Sequence, residues 1–265
     1  MTSASAAHGP RIPSCWIGWR VSWLGSRETR ANLWEMKRLH RLLVSSAVYR
    51  RESSGSGLTA LDSRLPRDPD NHLLWRQNSQ RLDAETLRDA MLAVSGRLIP
   101  HHAGKPLWPP VADEILFSQP GILEAKDGSD GGRMQGWYPD PLEATDVRSL
   151  FLVQKRAVPI PFLQPFDIPE STCSCAKRNV TTVAPQALTL FNSETSIRLA
   201  TAFAERLTTE AGRDPDQQLT RAVHLALGRS PDDEELKTLR DLATQTSLAE
   251  ACRAILNLNE FVYVD

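Results

Sequence analysis

Residues 181–211, TTVAPQALTLFNSETSIRLATAFAERLTTEA, carry the clearest structural signal in this chain. Pro185 suits the first position of a helix, and proline pushes the preceding Ala184 toward an extended conformation, so a helix is predicted to begin there. Beyond it, apolar residues recur along one stripe of a further helix that ends at AGRDP (211–215). The stripe consists of Ile197, Ala200, Phe203, Ala204 and Leu207.

The remainder of the C-terminal third continues the helical pattern. DQQLTRAVHLALG (216–228) and SPDDEELKTLRDLA (230–243) form a helical pair. Gly228 is predicted to close the first helix of this pair, and Ser230, Pro231, Asp232 and Asp233 to open the second. A final amphipathic helix, LAEACRAILNLNE (248–260), runs into FVYVD. Residues 180–265 are therefore predicted to form a small antiparallel helical bundle.

Two helices are also predicted in residues 34–98. In LWEMKRLHRLLVSSAVYR (33–50), apolar residues fall near one side of a helix, and that side is predicted to be core; they are Met36, Leu39, Leu42, Leu43 and Val48. The second helix lies within residues 71–98, with Asp83 as N-cap, Glu85 in the first turn and Gly96 near the end. Its apolar positions repeat at helical spacing: Leu87, Met91, Val94 and Leu98.

Residues 99–179 should be mostly irregular, because they hold many of the eighteen prolines and the run DGSDGGR (127–133). One short apolar stretch, RSLFLVQKR (148–156), is a strand candidate. So long an irregular segment either wraps over the helical core or builds a functional surface. The predicted fold is mainly α, a helical bundle with a long Pro/Gly-rich irregular insertion and little β structure.

Composition excludes several functional classes. The 31 basic and 32 acidic side chains leave no global positive field, so no nucleic-acid partner is predicted. The tryptophan-rich stretch RIPSCWIGWRVSWLG (11–25) is too short and too interrupted by Arg20 for a membrane span, and it lacks the unbroken apolar segment of a signal peptide. We therefore predict no membrane span and find no export signal in the chain.

Cysteine and histidine offer weak metal-site candidates. Cys173 and Cys175 could bind a soft metal or act as a redox switch, but the pair lacks further ligands, so incidental thiols are favoured. A disulfide between one of them and Cys252 is the alternative in an exported protein. The adjacent His101 and His102 would point to opposite sides of an extended loop, and His40 on the first helix is favoured as a packed or solvent-edge side chain. No metal site is predicted.

A polar set is the main candidate for a functional site. Its members are Arg81, Asp83, Arg88, Asp89, Arg148, Arg156, Asp167, Arg178, Thr181, Thr182, Gln186 and Asn192. With the aromatic residues Trp75, Trp108, Trp137 and Tyr138, the arginines could hold a sugar, a sulfate or a carboxylate. Alternatively, the set ties the irregular segment to the helices, and this structural interpretation is favoured because buried loop backbone needs hydrogen-bond partners.

The sequence lacks the motifs that would indicate an enzyme. It contains no nucleophile elbow, no glycine-rich phosphate loop and no His-Glu-x-x-His motif, and no carboxylate pair can be placed at working distance. These absences favour a chain that is not an enzyme on its own.

Several stretches together resemble a known family. They are MKRLHRLLVSSAVYR (36–50), DPDNHLLWRQNSQRLDAETLRDAMLAVSG (68–96), GWYPDP (136–141), RSLFLVQKRAVPIPFLQPFD (148–167), RNVTTVAPQALTLFNS (178–193), ALGRSPDDEE (226–235) and ILNLNEFVYVD (255–265). Across residues 34–265 the chain resembles the C-terminal part of the planctomycete family named domain of unknown function 1553. The resemblance implies a module of an exported multi-domain protein in the periplasm or cell envelope.

The resemblance also implies partners. In this family the region follows a second uncharacterised domain, often with a haem-binding cytochrome-like module at the front. A covalent haem needs a Cys-x-x-Cys-His run, which this sequence lacks, so no cofactor is predicted for the chain. A binding or scaffolding role is favoured. The alternatives are an enzyme or enzyme subunit acting on envelope or extracellular polysaccharide, and a module that only docks on the upstream domain.

Residues 1–33 depart from the resembled family. Members usually carry a stretch like HPELLDWLA before the MKRLH helix, and suitable codons for residues 11–20, read in another frame, encode that peptide. We therefore expect residues 1–33 to be non-native, frameshifted and disordered, Cys15 to be an artefact, and the true protein to begin upstream of Met1. The gene sequence tests this hypothesis.

Overall fold

The computed structural model describes residues 36–51, 53, 68, 70–101, 104–118, 136–169, 174–175 and 177–264. The chain divides into two compact units, residues 1–79 with residue 265 and residues 80–264. The predictions for residues 1–33, His102 and Cys173 lie outside the described residues.

In the first unit, helix α1 spans Met36–Val44 and has no buried residue. The prediction that its apolar side belongs to the core is therefore wrong, and Met36 is 50% exposed. Val48 lies beyond the helix, because the Ser45 and Ser46 hydroxyls donate to the carbonyls of Leu42 and Leu43 and close the last turn.

A compact turn formed by Asp68 and residues 70–78 lies in the same unit. The Asp68 carboxylate accepts hydrogen bonds from the backbone N–H groups of His72 and Leu73, at 2.9 and 2.8 Å. The bond from Leu73 holds the pKa of Asp68 below its ordinary value. Trp75 donates its indole N–H to the Asp68 carbonyl at 3.2 Å, so this tryptophan stabilises the turn.

The second unit is mainly helical. Its elements in chain order are β1 (Gln80–Arg81), α2 (Ala84–Val94), α3 (Asp113–Phe117), three 3₁₀ helices (Leu142–Thr145, Ser149–Phe151 and Gln164–Phe166), α4 (Ala184–Asn192), α5 (Glu194–Ala211), α6 (Pro215–Leu227), α7 (Asp233–Gln245), α8 (Leu248–Leu256), α9 (Asn259–Val262) and β2 (Tyr263–Val264). The strands β1 and β2 pair antiparallel, with Arg81 opposite Tyr263. The predicted mainly α fold with little β structure is confirmed.

Side chains cap four of the C-terminal helices. Ser193, Asp214, Asp232 and Ser247 accept a backbone N–H from the first turn of α5, α6, α7 and α8, respectively. Gly228 ends α6 in the left-handed conformation, with φ of 74°, as predicted. The N-cap of α7 is Asp232, so Ser230 and Pro231 lie outside the helix that they were predicted to open.

Helix α5 supplies the centre of the core. Ala200, Phe203 and Leu207 are buried as predicted, and Leu199 joins them. Ile197, by contrast, is exposed. At about 100° per residue, Ile197 lies roughly 100° from the middle of the buried side, which places it at the boundary with solvent.

The irregular segment packs several of its apolar residues into the same core as the helices. Val147, Leu152, Ile160, Phe162, Leu163 and Phe166 are buried there. The strand predicted at 148–156 is wrong: residues 149–151 form a 3₁₀ helix, and Leu152 makes an isolated bridge with Leu107. Of the two interpretations of this segment, the one in which it wraps over the helical core therefore fits the structure.

Each described helix is too short or too polar to cross a membrane.

Candidate functional site

Arg88 is the most deeply engaged member of the predicted polar set. It lies on α2 and is buried among the residues of the irregular segment. Its Nη1 donates to the Val147 carbonyl at 2.9 Å and to the Ser149 hydroxyl at 3.1 Å, while Nη2 donates to the Thr145 carbonyl at 2.8 Å. Burial lowers the pKa of Arg88 from its ordinary value, and the charge of Asp89 opposes this. The guanidinium therefore fastens loop backbone to a helix.

The next residue on α2, Asp89, holds the same part of the loop. Its carboxylate accepts both the backbone N–H and the hydroxyl of Ser149, each at 2.7 Å. Arg148 Nε lies 3.7 Å from Asp89 Oδ2, but the Arg148 side chain is 66% exposed. Arg148 is thus a peripheral partner of Asp89, with most of its side chain in solvent.

A buried carboxylate that the sequence analysis did not identify lies beside these residues. Asp146 is 1% exposed and accepts two hydrogen bonds from Arg198 on α5, at 2.8 and 2.7 Å. Arg97 Nε adds a third bond at 3.3 Å. No local motif marks Asp146 or Arg198, because they lie 52 positions apart in the sequence.

Arg81 and Asp167 form a further ion pair, between β1 and the irregular segment. Arg81 Nη2 donates to Asp167 Oδ2 at 2.6 Å, and Thr181 donates its backbone N–H to the same oxygen at 2.9 Å. Burial would raise the pKa of Asp167, but the bonds from Thr181 and the charge of Arg81 outweigh it and hold that pKa below its usual value. Arg81 Nε and Nη1 are buried and have no acceptor among the described residues.

Gln186 and Thr182 also form hydrogen bonds between different segments of the chain. Gln186 donates to the Pro165 carbonyl at 3.0 Å and accepts the Val183 N–H at 3.4 Å. The Thr182 hydroxyl lies 2.9 Å from the Tyr263 hydroxyl. Both residues therefore join the entry of α4 to neighbouring parts of the same unit.

Arg178 pairs with Glu85 on α2, which lies 93 positions earlier in the sequence. Its Nη1 and Nη2 donate to the two carboxylate oxygens at 2.6 and 3.1 Å, and Asp83 lies 3.9 Å away. The bond to Glu85 raises the pKa of Arg178. Burial opposes the change at Glu85, but the Arg178 bond prevails and lowers the pKa of that carboxyl. Asp83 occupies the N-cap position of α2 as predicted, without a side-chain cap bond.

The remaining candidates are two exposed polar side chains and three aromatic ones. Arg156 and Asn192 are exposed. Trp108, Trp137 and Tyr138 instead form an aromatic cluster of their own, with Trp108 edge-on to the other two rings at 5.2 and 5.4 Å. Trp137 donates its indole N–H to the Pro109 carbonyl at 3.0 Å, so this cluster stabilises the irregular segment.

The thiols and imidazoles within the described residues are not grouped with further metal ligands. Cys252 is a free, buried thiol, and burial raises its pKa to about 12, while Cys175 is free and exposed. His101 packs edge-on against Phe151 at 4.8 Å, and His40 is exposed on α1. Within the part of the chain that the structure describes, no three His, Cys, Asp or Glu side chains are grouped to hold a metal ion.

Comparison with known proteins gives one match. Neither a curated protein nor a solved structure matches the chain. The family described as "Protein of unknown function (DUF1553)" matches residues 22–243, which includes residues 22–33 of the segment predicted to be frameshifted. The matched range contains the paired arginines and carboxylates described above. The chain belongs to this family of unknown function.

Proposed function

We propose that the chain is a binding or scaffolding module of an exported multi-domain protein, and that it is not an enzyme by itself. The observation that supports this proposal is that Arg88 donates three hydrogen bonds to two carbonyl groups and one hydroxyl group of the irregular segment in its own chain. Arg178 and Gln186 are likewise bonded within the chain, to Glu85 and to the Pro165 carbonyl. The N–H groups that make these bonds stabilise the fold and are not available to a substrate.

Polysaccharide assays test this proposal. The whole chain, incubated with envelope and extracellular polysaccharides, should neither retain nor hydrolyse them. Arg148→Ala probes the most accessible candidate arginine of the Asp89 network, and Arg240→Ala is its control, since Arg240 is an exposed arginine on α7 paired with Asp216. Hydrolysis of a polysaccharide would overturn the non-enzymatic role. Retention that is lost in Arg148→Ala and kept in Arg240→Ala would instead assign a glycan-binding site to the surroundings of Asp89.

An exposed apolar stripe on α4 favours docking as the form that this scaffolding takes. Ala184, Ala187, Leu188 and Phe191 recur at helical spacing, and all four are exposed, while Gln186 and Leu190 point into the unit. Contiguous exposed apolar surface is typical of protein–protein interaction sites. Because the family region is expected to follow another domain, we propose that this upstream domain covers the stripe, in the periplasm or cell envelope.

Co-purification with that domain tests the docking proposal. Leu188→Asp places a charge in the stripe and should weaken the complex at least about tenfold, because burying an unpaired carboxylate is costly. Leu150→Asp is the control: Leu150 is 78% exposed on a 3₁₀ helix, away from α4 in sequence. No complex with the upstream domain, or equal weakening by both variants, contradicts docking through α4.

A further inference from the structure

A cavity of about 400 Å³ lies where the irregular segment meets the junction of α4 and α5. This volume is in the range of sites for small organic molecules. Pro109, Pro161 and Phe162 contribute apolar wall, while Arg88, Arg198 and Thr195 contribute polar lining. The cavity therefore combines an apolar interior with cationic groups.

The charges around this cavity are unbalanced. Four arginines lie within 4 Å of the carboxylates of Asp89 and Asp146, and two of the four, Arg88 and Arg198, line the cavity. The other two are Arg97 and Arg148. With Glu194 of the lining counted, four positive charges against three negative ones leave an excess of one. Arg88 is the least neutralised of the buried members, since its close bonds go to uncharged acceptors and its nearest Asp89 oxygen is 3.8 Å away.

Helix α5 adds to the positive potential. It is eighteen residues long, and its first-turn residues Glu194 and Thr195 line the cavity. The partial positive charge of a helix N-terminus favours an anion at this end. Ser193 already caps the Ser196 N–H, so the helix end is ordered before any ligand arrives.

The lining also limits the ligand. Glu194 is exposed and lines the cavity, so its carboxylate lies at the rim and opposes a second negative charge there. The apolar walls favour a ligand with a hydrocarbon or aromatic body. We propose that this cavity binds an organic monocarboxylate with an apolar body, with its carboxylate toward Arg88 and Arg198.

Benzoate and benzamide are suitable probes for the whole chain, because they share shape and differ in charge. Calorimetry should show benzoate binding, with benzamide at least about tenfold weaker. Glu194→Gln should tighten benzoate binding about threefold, since it removes an exposed negative charge at the rim. Glu205→Gln is the matched control, because it removes the same charge from an exposed position three turns along α5.

Three results would overturn the proposal. The first is that benzoate does not bind at millimolar concentration. The second is that benzamide binds as tightly as benzoate. The third is that Glu194→Gln and Glu205→Gln change benzoate affinity equally. The last result would indicate a response to net charge alone. Because none of these variants alters the apolar stripe of α4, failure of the cavity proposal leaves the docking experiment with its own answer.

Discussion

The irregular segment, residues 99–179, and the C-terminal helices, residues 180–264, contribute apolar side chains to one core but satisfy their backbones differently. The helices bond their N–H and carbonyl groups internally and add short side-chain caps such as Asp232. Backbone groups of the irregular segment instead bond to side chains of a helix distant in sequence, such as Arg88 and Asp89 on α2. A buried loop therefore needs charged residues that a helix does not.

This difference predicts which substitution each region tolerates least. In the helices the sensitive positions should be apolar, because the α5 backbone is hydrogen-bonded within the helix and its buried apolar side chains pack in the core. In the irregular segment they should be the paired ions, since removal of one partner leaves the other buried and uncompensated. Four measurements test the contrast, in order of decreasing effect.

Phe203→Ala should have the largest effect. Phe203 is fully buried on α5, and truncation of a buried phenylalanine costs about 3–5 kcal/mol through lost transfer energy and the cavity left behind. Denaturant unfolding followed by circular dichroism measures the loss. Ile197→Ala on the exposed side of the same helix is the control, with an expected change below about 1 kcal/mol. Equal losses in both variants would mean that the assigned core side of α5 is incorrect.

Asp146→Asn should cost roughly 2–3 kcal/mol, somewhat less than a fully buried pair because Arg198 and Arg97 remain partly exposed. Asp216→Asn is the control: Asp216 also makes a two-pronged pair with an arginine, Arg240, but both side chains are more than 40% exposed. Its loss should stay below about 1 kcal/mol.

Limited proteolysis of Asp146→Asn and Asp216→Asn shows which region of the chain each substitution destabilises. Limited proteolysis of Asp146→Asn should accelerate within the irregular segment, since that carboxylate anchors it, while α5 to α8 stay resistant. Cleavage that begins in the helices would contradict the division of roles between the two regions.

Acid should loosen the irregular segment before the helices. The pKa values of Asp167 and Glu85 are lowered in the folded chain, so the unfolded chain binds more protons in acid. Their stabilising contribution is present above the unfolded values of about 4 and is lost as pH falls through the lower folded values. Hydrogen exchange between about pH 6 and pH 3 should show earlier loss of protection around residues 163–167 than in α5.

Asp167→Asn provides the control for the acid experiment. The variant lacks the titrating carboxyl, so its unfolding midpoint should depend less on pH below about 5 than that of the parent chain. If both proteins lose stability in parallel, other carboxyl groups govern the acid response.

The contrast also explains what the sequence could predict. The buried side of α5 was predictable because apolar residues repeat every turn, and Ile197 was misplaced because a boundary position satisfies the same spacing. The prediction of a strand at 148–156 was wrong because the Ser149 N–H donates to the carboxylate of Asp89, sixty positions away, and the chain turns there. Local patterns contain no trace of such a partner.

The polar set was predictable in composition and not in pairing. Arg81 was identified together with Asp167, but they lie 86 positions apart, and nothing local indicates that they meet. Asp146, the most buried carboxylate of the network, was missed because an isolated aspartate in a loop is typical of an exposed turn. Long-range ion pairs are set by the completed fold.

Asp232→Ala should give the smallest effect of the four, about 1 kcal/mol, because it removes the side chain that accepts the Glu235 N–H at 2.7 Å in the first turn of α7. Asp233→Ala is the matched control. It removes a neighbouring carboxylate that interacts with the helix dipole without accepting that bond, so its cost should be nearer 0.3–0.5 kcal/mol, roughly. Denaturant midpoints distinguish the two. If the Asp233 variant is the less stable one, helix dipole charge outweighs capping in α7, and the helices rely on electrostatics more than their contrast with the irregular segment implies.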